Sequence, residues 1–468
     1  MAEKKADAPP AAGMLWGGRF TGAIDPLMNK YNASIQYDKA LYKEDILGSI
    51  AFARANSKTG IISEDEFQTI ECGLLQVMEE WKQGTFVIMP NDEDIHTANE
   101  RRLGEIIGKD TAGKLHTGRS RNEQVVCDMR MWLRDRIKEI DCQLVAFLKV
   151  IVARAESEID YLMPGYTHSQ RAQPVRWGHW LMAHAAAFKQ DLERLRQVFE
   201  RVNLSPLGCG ALAGNPFRIN RNAIAEELGF SGITFNSMNT SADRDFIIEF
   251  LTWNSIFTNH ISRWAEDLIL YGTSEFGFLR LADSYATGSS LMPNKKNSDS
   301  LEILRGKSGR AFGQMAGLMM TMKGLPYCYA KDSQESWEPM LDSVEFVLDS
   351  LGIANGVITT LTVRPERMRA ALDMTMLATD VAEWLVRKGV PFREAHHISG
   401  RIVALSENTE VSMDQLTLEQ LQAIDSRFTA DITAAFKYES SVEAKSAPGG
   451  TSRSAVLGQI QELRAILD

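Results

Sequence analysis

The chain has 468 residues, of which 44% are hydrophobic, and it carries a formal net charge of −10. This length is enough for one large buried core or for two to three domains of a globular protein. The acidic balance and the lack of long basic tracts argue against nucleic-acid binding, and no apolar run approaches the ~20 residues that a membrane span needs. An anionic substrate would need a locally basic pocket.

Five cysteines are scattered along the chain without Cys-x-x-Cys spacing. Their odd number and spacing predict neither a disulfide framework nor a zinc site, and they favour a reducing compartment. Residues 1–14 are rich in Ala, Pro and Lys and lack the apolar core of a secretion signal. We therefore expect a cytoplasmic protein that begins with a disordered tail.

Several long helices can be predicted from apolar periodicity. Helical spacing begins near Asp38, and the segment that starts at Ser63 has the pattern of a capping box. The stretch 119–163 contains no Gly or Pro, and its apolar residues recur every three or four places, which predicts one helix of about 45 residues and roughly 67 Å. Four further helices are predicted over approximately 175–203, 243–271, 299–323 and 337–358.

No period-2 strand pattern of any length is found, so the predicted class is all-α. We expect a long central helix bundle with smaller helical N- and C-terminal domains. The predicted divisions are a tail over 1–14, an N-terminal domain over 15–118, the bundle over 119–364 and a C-terminal domain over 365–468. The helix over 299–323 carries four glycines on adjacent turns. Each weakens a helix by about 1 kcal/mol relative to Ala, which predicts close approach of a neighbouring backbone as compensation.

Polar residues concentrate in four segments. Residues 288–297, GSSLMPNKKN, form a loop that from composition alone is either a solvated surface loop or a binding loop. Residues 93–102, EDIHTANERR, form a helix that superficially suggests metal binding, but it lacks the His-Glu-x-x-His spacing and we expect no metal. Residues 116–122, HTGRSRN, place two arginines at a helix start, where a bound carboxylate would offset the unfavourable helix dipole. Residues 166–174, YTHSQRAQP, form the fourth polar loop.

These segments resemble the fumarase/aspartase/argininosuccinate lyase superfamily. Seven positions of its signature loop match residues 288–297, and residues 166–174 match its second conserved region. The blocks at 15–20 (LWGGRF), 93–100 and 117–122 resemble the argininosuccinate lyase and δ-crystallin branch. The resemblance implies elimination of fumarate from argininosuccinate with release of arginine, in arginine biosynthesis or the urea cycle, and no cofactor.

The resemblance also implies roles for individual side chains. Ser289 is the expected base, and Lys295 and Asn297 are expected to stabilise the carbanion, whose charge spreads onto the neighbouring carboxylate. His168 is expected to assist proton transfer, and Glu302 to orient that histidine. A serine base is chemically unusual, and it would need a nearby ammonium group or the N–H groups of a helix start.

A second set of residues is expected to bind the substrate. Its members are Ser34, Arg121, Asn122, Thr167, Asn297, Tyr329, Lys331 and Gln334. The chain departs from the usual family pattern at Asn294, Ser298, Ala330 and Ser336, and none of these departures removes a proposed catalytic group.

The predicted long helix bears on the number of chains in each site. Arg121 and Asn122 lie at its start and His168 lies just past its end, so a continuous helix separates them by roughly 65 Å within one chain. An antiparallel neighbour would supply the missing block, which predicts active sites shared between chains. The resemblance implies a homotetramer with such composite active sites and a small-molecule substrate. The alternatives are a crystallin-like structural protein on the same scaffold and a sibling lyase acting on aspartate, malate or adenylosuccinate.

Overall fold

The computed structural model describes residues 24–467, so the predicted tail over 1–14 and the LWGGRF block at 15–20 lie outside the described residues. Within the described range helices dominate and strands are short, which confirms the predicted all-α class. None of the described helices has both the length and the hydrophobicity required to cross a membrane.

Helices and short strands follow one another along the described chain. The α-helices are α1 Pro26–Asn32, α2 Ile35–Asp38, α3 Tyr42–Lys58, α4 Glu64–Lys82, α5 Ile95–Ile107, α6 Lys109–Ala112, α7 Arg121–Ser157, α8 Trp177–Val202, α9 Arg221–Glu227, α10 Ser237–Ala242, α11 Asp245–Gly272, α12 Asp299–Met322, α13 Trp337–Thr360, α14 Pro365–Ala370, α15 Ala378–Arg387, α16 Phe392–Thr409, α17 Leu418–Ile424, α18 Tyr438–Ala444 and α19 Arg453–Leu467. The strands are β1 Leu162–Thr167, β2 Gln170–Arg176, β3 Leu204–Ser205, β4 Gly232–Ile233, β5 Leu279–Arg280, β6 Thr287–Gly288, β7 Lys296–Asn297 and β8 Thr362–Val363. They form four separate pairs, of which β3–β4 is parallel and β1–β2, β5–β8 and β6–β7 are antiparallel.

The described chain forms two compact units. Unit 1 consists of residues 24–140, 194–254 and 311–346, and unit 2 consists of residues 141–193, 255–310 and 347–467. Each of the five longest helices, α7, α8, α11, α12 and α13, contributes one part to each unit. The division into domains at 15–118, 119–364 and 365–468 stays a prediction.

Helix α7 is shorter than its apolar pattern predicts. It ends at Ser157 after 37 residues, a length of about 55 Å at 1.5 Å per residue. The predicted helix ran on to Met163, whereas β1 begins at Leu162 and pairs with β2. The prediction was wrong here because the first Gly or Pro after the helix comes only at Pro164, so the sequence carries no earlier stop signal.

The helices within each unit are joined by apolar packing. In unit 1, α3, α4 and α5 bury a common cluster that includes Ile50, Phe67 and Leu103. Its second helix begins with the predicted capping box, in which Ser63 and Glu66 each accept a hydrogen bond from the other's backbone N–H. In unit 2, segments of α7, α8 and α11 meet through Phe147, whose ring lies edge-on to Phe188 at 5.2 Å and to Trp264 at 5.5 Å. Such contacts between long helices are those of the predicted bundle.

Candidate active site

The signature loop is closed at its base by a short strand pair. Gly288 on β6 pairs with Lys296 on β7, so residues 289–295 project between them. Two further contacts fix this base: Thr287 Oγ1 donates to the Asp299 carboxylate, and Lys296 Nζ donates to Leu281 O at 2.7 Å and to Asp283 Oδ1 at 2.6 Å. The second lysine of the motif is therefore a structural residue, which leaves Lys295 as the exposed ammonium group of the loop.

The oxygen of Ser289 accepts hydrogen bonds from two backbone N–H groups of the loop. The donors are Leu291 N at 3.2 Å and Met292 N at 3.0 Å. N–H groups that point at an oxygen favour its negatively charged form. The loop therefore supplies part of the stabilisation that a serine base needs, from its own backbone rather than from the start of α12.

The other proposed groups of the loop region lie close in sequence. Asn297 is half-buried on β7, and Glu302 is exposed in the first turn of α12. Within residues 24–467 we find no hydrogen bond from His168 to the Glu302 carboxylate, which is expected to orient that histidine. The proposed pairing of Glu302 with His168 is therefore not formed within a single chain over the described residues.

Thr167 and His168 lie at the tip of the β1–β2 hairpin. Thr167 pairs with Gln170, so His168 and Ser169 form a two-residue turn, with φ angles of 53° and 59°. Positive φ at both positions is the mark of a type I′ turn, whose twist matches that of the flanking strands. The sequence predicted an irregular loop here; the strand pairing instead presents Thr167 and His168 on an exposed tip.

The base of this hairpin is held in unit 2 by a polar and an aromatic contact. Arg176 N donates to Thr451 Oγ1 at 2.9 Å, and Arg176 Nη1 donates to Ile159 O at 2.9 Å. On β1, the ring of Tyr166 lies 5.7 Å from that of Phe276. These contacts hold β1 and β2 against the rest of unit 2. Because His168 lies in the turn between the two strands, they also determine its position.

In unit 1, Ser34 is held by a buried carboxylate that belongs to none of the predicted motifs. Ser34 Oγ donates to Asp38 Oδ2 at 2.6 Å, and Ile95 N donates to Asp38 Oδ1 at 3.1 Å. Burial raises the pKa of Asp38 from 3.8 to about 7, against the opposing effects of His96 and of the Ser34 hydrogen bond. The hydroxyl of Ser34 is therefore oriented by a group that titrates near neutral pH.

Arg121 and Asn122 start α7 in unit 1. Arg121 Nη1 donates to Asp94 Oδ2 and, at 3.1 Å, to Thr97 Oγ1, while Asn122 Nδ2 donates to Ala211 O at 3.4 Å. Burial raises the pKa of Asp94, but the charges of His96 and Arg121 outweigh it and hold that pKa below its usual value. An ionised Asp94 fixes the guanidinium of Arg121, whose charge it also partly offsets.

Tyr329, Lys331 and Gln334 follow α12 in unit 1. Burial raises the pKa of Tyr329, and Gln334 Nε2 donates to Asn32 O at 3.1 Å. Lys331 is exposed and begins the 3-10 helix Lys331–Ser336. The expected substrate-binding residues thus lie in unit 1, apart from Thr167 and Asn297, whereas the expected catalytic residues lie in unit 2.

A buried polar network joins α3, α5 and α7 behind the Arg121 block. Asp45 accepts from His96 Nδ1 and Asn99 Nδ2, both at 2.7 Å, and from Gln124 Nε2 at 2.5 Å. One atom each of Asp45, His96 and Asp128 lies within 4.8 Å of the others, and these are residue types that bind metal ions. His96 Nδ1 and Asp45 Oδ1 are hydrogen-bonded to each other, and a cation would need these same atoms as ligands. The absence of a metal stays a prediction.

Solved structures share this fold. EDDS lyase in complex with formate is 29% identical, with a TM-score of 0.84 over 98% of this chain and 93% of that chain. A class II fumarase from Schistosoma mansoni is 15% identical, with a TM-score of 0.73 over 88% of this chain and 94% of that chain, a likeness of fold alone.

Sequence comparison is more specific. Residues 18–313 match the lyase family, and residues 375–443 match the argininosuccinate lyase C-terminal region. A probable argininosuccinate lyase of Schizosaccharomyces pombe is 57% identical over 97% of this chain and 99% of its own length. The argininosuccinate lyase of Candida albicans is 54% identical over 98% of this chain and 99% of its own length. With nearly full-length relatives at this level, the chain belongs to the argininosuccinate lyase family.

Proposed function

We propose that this chain cleaves argininosuccinate into fumarate and arginine. The observation that carries the proposal is the Ser289 loop, whose backbone N–H groups point at the hydroxyl oxygen, in a chain of this family. Every residue expected to take part in catalysis is present in the sequence. This favours an enzyme over a crystallin-like structural protein on the same scaffold.

The proposed chemistry is a proton abstraction followed by elimination. Ser289, as the alkoxide, takes a proton from the carbon next to a succinyl carboxylate, and the electron pair left on that carbon spreads onto the carboxylate. Lys295 and Asn297 stabilise the doubly charged carboxylate through their N–H groups. As the electrons return to form the double bond of fumarate, the C–N bond breaks and the departing nitrogen of arginine is protonated. His168, oriented by Glu302, assists this proton transfer.

The remaining proposed contacts to the substrate come from Thr167 and from residues of unit 1. Arg121 and Asn122 offer guanidinium and amide N–H donors to the succinyl carboxylates, a pairing that fixes both charge and orientation. Ser34 offers its hydroxyl to the substrate, Tyr329 and Gln334 offer polar groups to the arginine half, and Lys331 adds a positive charge there.

We further propose that the active protein is a homotetramer whose sites combine several chains. The exposed face of α12 supports this, because Ile303, Phe312 and Met320 are 64%, 59% and 66% exposed in the single chain. A Cβ added at the glycines of this helix would meet no atom of the described chain within 4 Å. The close neighbour that Gly309 and Gly313 predict would then be a helix of another subunit.

The position of the chain in metabolism follows from the proposed reaction. It completes the formation of arginine, in arginine biosynthesis or the urea cycle. Its five cysteines, Cys72, Cys127, Cys142, Cys209 and Cys328, are free thiols. Free thiols are typical of a reducing compartment, which supports a cytoplasmic location.

The test of the proposed function is release of fumarate, followed by its ultraviolet absorbance. The purified full chain is given argininosuccinate, aspartate, malate or adenylosuccinate in separate assays. We expect fumarate from argininosuccinate alone, with arginine formed in equal amount. Fumarate from one of the other substrates would indicate a sibling lyase, and none from any would favour the crystallin-like alternative.

A further inference from the structure

Arg244 is a buried cation without an anionic partner. It precedes the first residue of α11, and its side chain is 1% exposed. Its Nη1 donates to the main-chain oxygen of Asp243 at 2.7 Å, and its Nε has no hydrogen-bond partner. The Asp243 carboxylate pairs instead with Arg130 Nη2 at 2.7 Å. Among the described residues no carboxylate lies within ion-pair distance of Arg244, although a guanidinium has five N–H groups to satisfy.

This arrangement is energetically costly to the folded chain. Of the two buried guanidinium groups next to Asp243, that of Arg130 pairs with its carboxylate and that of Arg244 does not. Burial lowers the pKa of Arg244 to about 10, because desolvation disfavours the charged form. Buried charges in folded proteins are normally paired, since an unpaired one loses its hydration without compensation. The Arg244 guanidinium therefore lacks an ion-pair partner.

A cavity of about 150 Å³ opens beside Arg244 in unit 1. This is well above the ~15 Å³ that one water molecule needs. Arg244 lines it together with two acidic residues, Asp243 and Asp245, and with Asn239, Tyr327 and Cys328. The Tyr327 hydroxyl donates to Asn239 Oδ1 at 2.9 Å, and both of these residues are exposed, so they mark the side that opens to solvent.

We propose that this cavity binds a carboxylate group, with the Arg244 guanidinium as its partner. A carboxylate matches the flat fork of a guanidinium and would give Arg244 the ion-pair partner that Asp243 and Asp245 do not provide. Two sources share this chemistry: the carboxylate at the arginine end of the substrate, and a free small carboxylate. Tyr329 is one residue beyond Cys328, and its hydroxyl is close enough for the charge of Arg244 to lower its pKa against the effect of burial. Only the first source rests on the proposed function.

Because Cys328 lines the cavity, the rate at which its thiol is alkylated measures whether the cavity is occupied. In the first experiment the full chain is treated with iodoacetamide, and alkylation of Cys328 is followed by peptide mass spectrometry. Sodium acetate and L-arginine are tested on the wild-type chain, and argininosuccinate on Ser289→Ala, each against sodium chloride of equal ionic strength. At nine-tenths occupancy we expect alkylation about tenfold slower. Cys142, exposed on α7, is the internal control, and its rate should not change.

The three ligands distinguish a site for free carboxylates from a site for the arginine end of the substrate. Protection by acetate and L-arginine alike would identify a site for free carboxylates. Protection by L-arginine and argininosuccinate, but not by acetate, would assign the carboxylate to the arginine half of the substrate. Protection by none of the three would overturn the proposal. The acetate arm needs no turnover, so it remains informative even if the proposed function fails.

A matched pair of variants tests the role of Arg244 itself. Arg244→Met removes a charge that has no partner, so the unfolding temperature without ligand should stay the same or rise, and protection of Cys328 should be lost. Arg130→Met is the control, because Arg130 bonds to Asp243 and to the main-chain oxygens of Arg201 and Val202, and its loss should lower the unfolding temperature. A large fall in the unfolding temperature of Arg244→Met, failure of that variant to fold, or protection that survives it would each overturn the proposal.

Discussion

The loop that contains Ser289 stabilises its hydroxyl oxygen with its own backbone N–H groups. Two N–H groups at 3.0 and 3.2 Å favour a negative charge on its oxygen, and the strand pair β6–β7 holds the loop ends. A serine hydroxyl is otherwise too weak an acid to act as a base near neutral pH. The catalytic assignment of Ser289 therefore has a physical basis in the backbone as well as a family resemblance.

Replacement of this hydroxyl should remove turnover and leave binding. For Ser289→Ala we expect the rate of fumarate release to fall by a factor of about 1,000 or more, which is within the range for a lost acid–base group. Calorimetric affinity for argininosuccinate and the unfolding temperature should stay close to those of the wild type. Ser290→Ala, at the next and exposed position, is the control and should remain active. Wild-type rates in Ser289→Ala would refute the assignment.

Asp38 gives a residue-scale prediction about pH. Its pKa is 3.8 in the ordinary state and about 7 in the fold, so the folded chain keeps a proton there that the unfolded chain loses. The wild type is therefore progressively destabilised between about pH 4 and pH 7, by at most about 4 kcal/mol. Asp38→Asn has no carboxyl group at this position and should not lose stability in this way. Its free energy of unfolding relative to the wild type should rise between about pH 4 and pH 7 and stay level above pH 7, as measured by urea unfolding at each pH. A difference that is constant with pH would contradict the raised pKa.

At the scale of single elements, the β1–β2 hairpin determines where Thr167 and His168 lie. A tight turn with positive φ at two non-glycine residues is strained, and the strand pairing and the contacts of Arg176 compensate for it. Strain of this kind is common at functional sites, where the fold holds a side chain in a conformation that it would not choose alone. The tip of this hairpin is consistent with that pattern.

The strain can be measured by substitution beside the histidine. Ser169→Gly should stabilise the chain by up to about 1 kcal/mol, because glycine adopts positive φ without the steric cost of a Cβ. The same change at Ser440, an exposed residue within α18, should destabilise it by a similar amount. Thermal unfolding of both variants is the measurement. Destabilisation by Ser169→Gly would show that the turn is not strained.

At the scale of the whole molecule, α12 has features that a single chain does not explain. Its glycines leave open space and its large apolar side chains are exposed, whereas a helix in an isolated protein would place polar residues on such a face. The exposed ring of His168 makes no hydrogen bond to another residue within 24–467, so a carboxylate that orients it, as Glu302 is proposed to do, would have to belong to another subunit. Both observations favour the proposed homotetramer.

A large side chain on this face should prevent assembly. For Gly313→Leu we expect the secondary structure to be retained, because a Cβ there meets nothing in its own chain, but the tetramer and its activity should be lost. Gly458→Leu on α19, also without near neighbours, is the matched control. Size-exclusion chromatography with light scattering gives the oligomeric state. A fully assembled, active Gly313→Leu protein would place the interface elsewhere.

Mixed subunits should restore activity if sites are shared between chains. Ser289→Ala and Asn122→Ala, each inactive alone, are dissociated together and reassembled. Because the 37 residues of α7, about 55 Å of helix, lie along the chain between Asn122 and the β1–β2 hairpin, we expect some sites of a hybrid to draw both residues from intact copies. We expect part of the wild-type fumarate release to return. Activity that never exceeds the sum of the two parents would rule out shared sites.

Local signals in the sequence are sufficient to predict four of the five long helices and to recognise the family. The ends of α8, α11, α12 and α13 lie within two residues of those predicted, because apolar periodicity bounded by Gly and Pro is a local signal. The signature loop and the HTGRSRN block are contiguous, so their chemistry could also be recognised without a structure. The family then followed from matches along nearly the whole chain.

How remote segments meet cannot be read from local signals and follows from the folded structure. The β1–β2 hairpin was missed because its strands are stabilised by pairing with each other and by Thr451, which no local period reveals. Asp38 and Arg244 look ordinary in the sequence; what distinguishes them is burial, and burial depends on which distant helices surround a side chain. Desolvation of a charge is a property of the assembled core, so the raised pKa of Asp38 and the unpaired charge of Arg244 could not be derived from the order of residues alone.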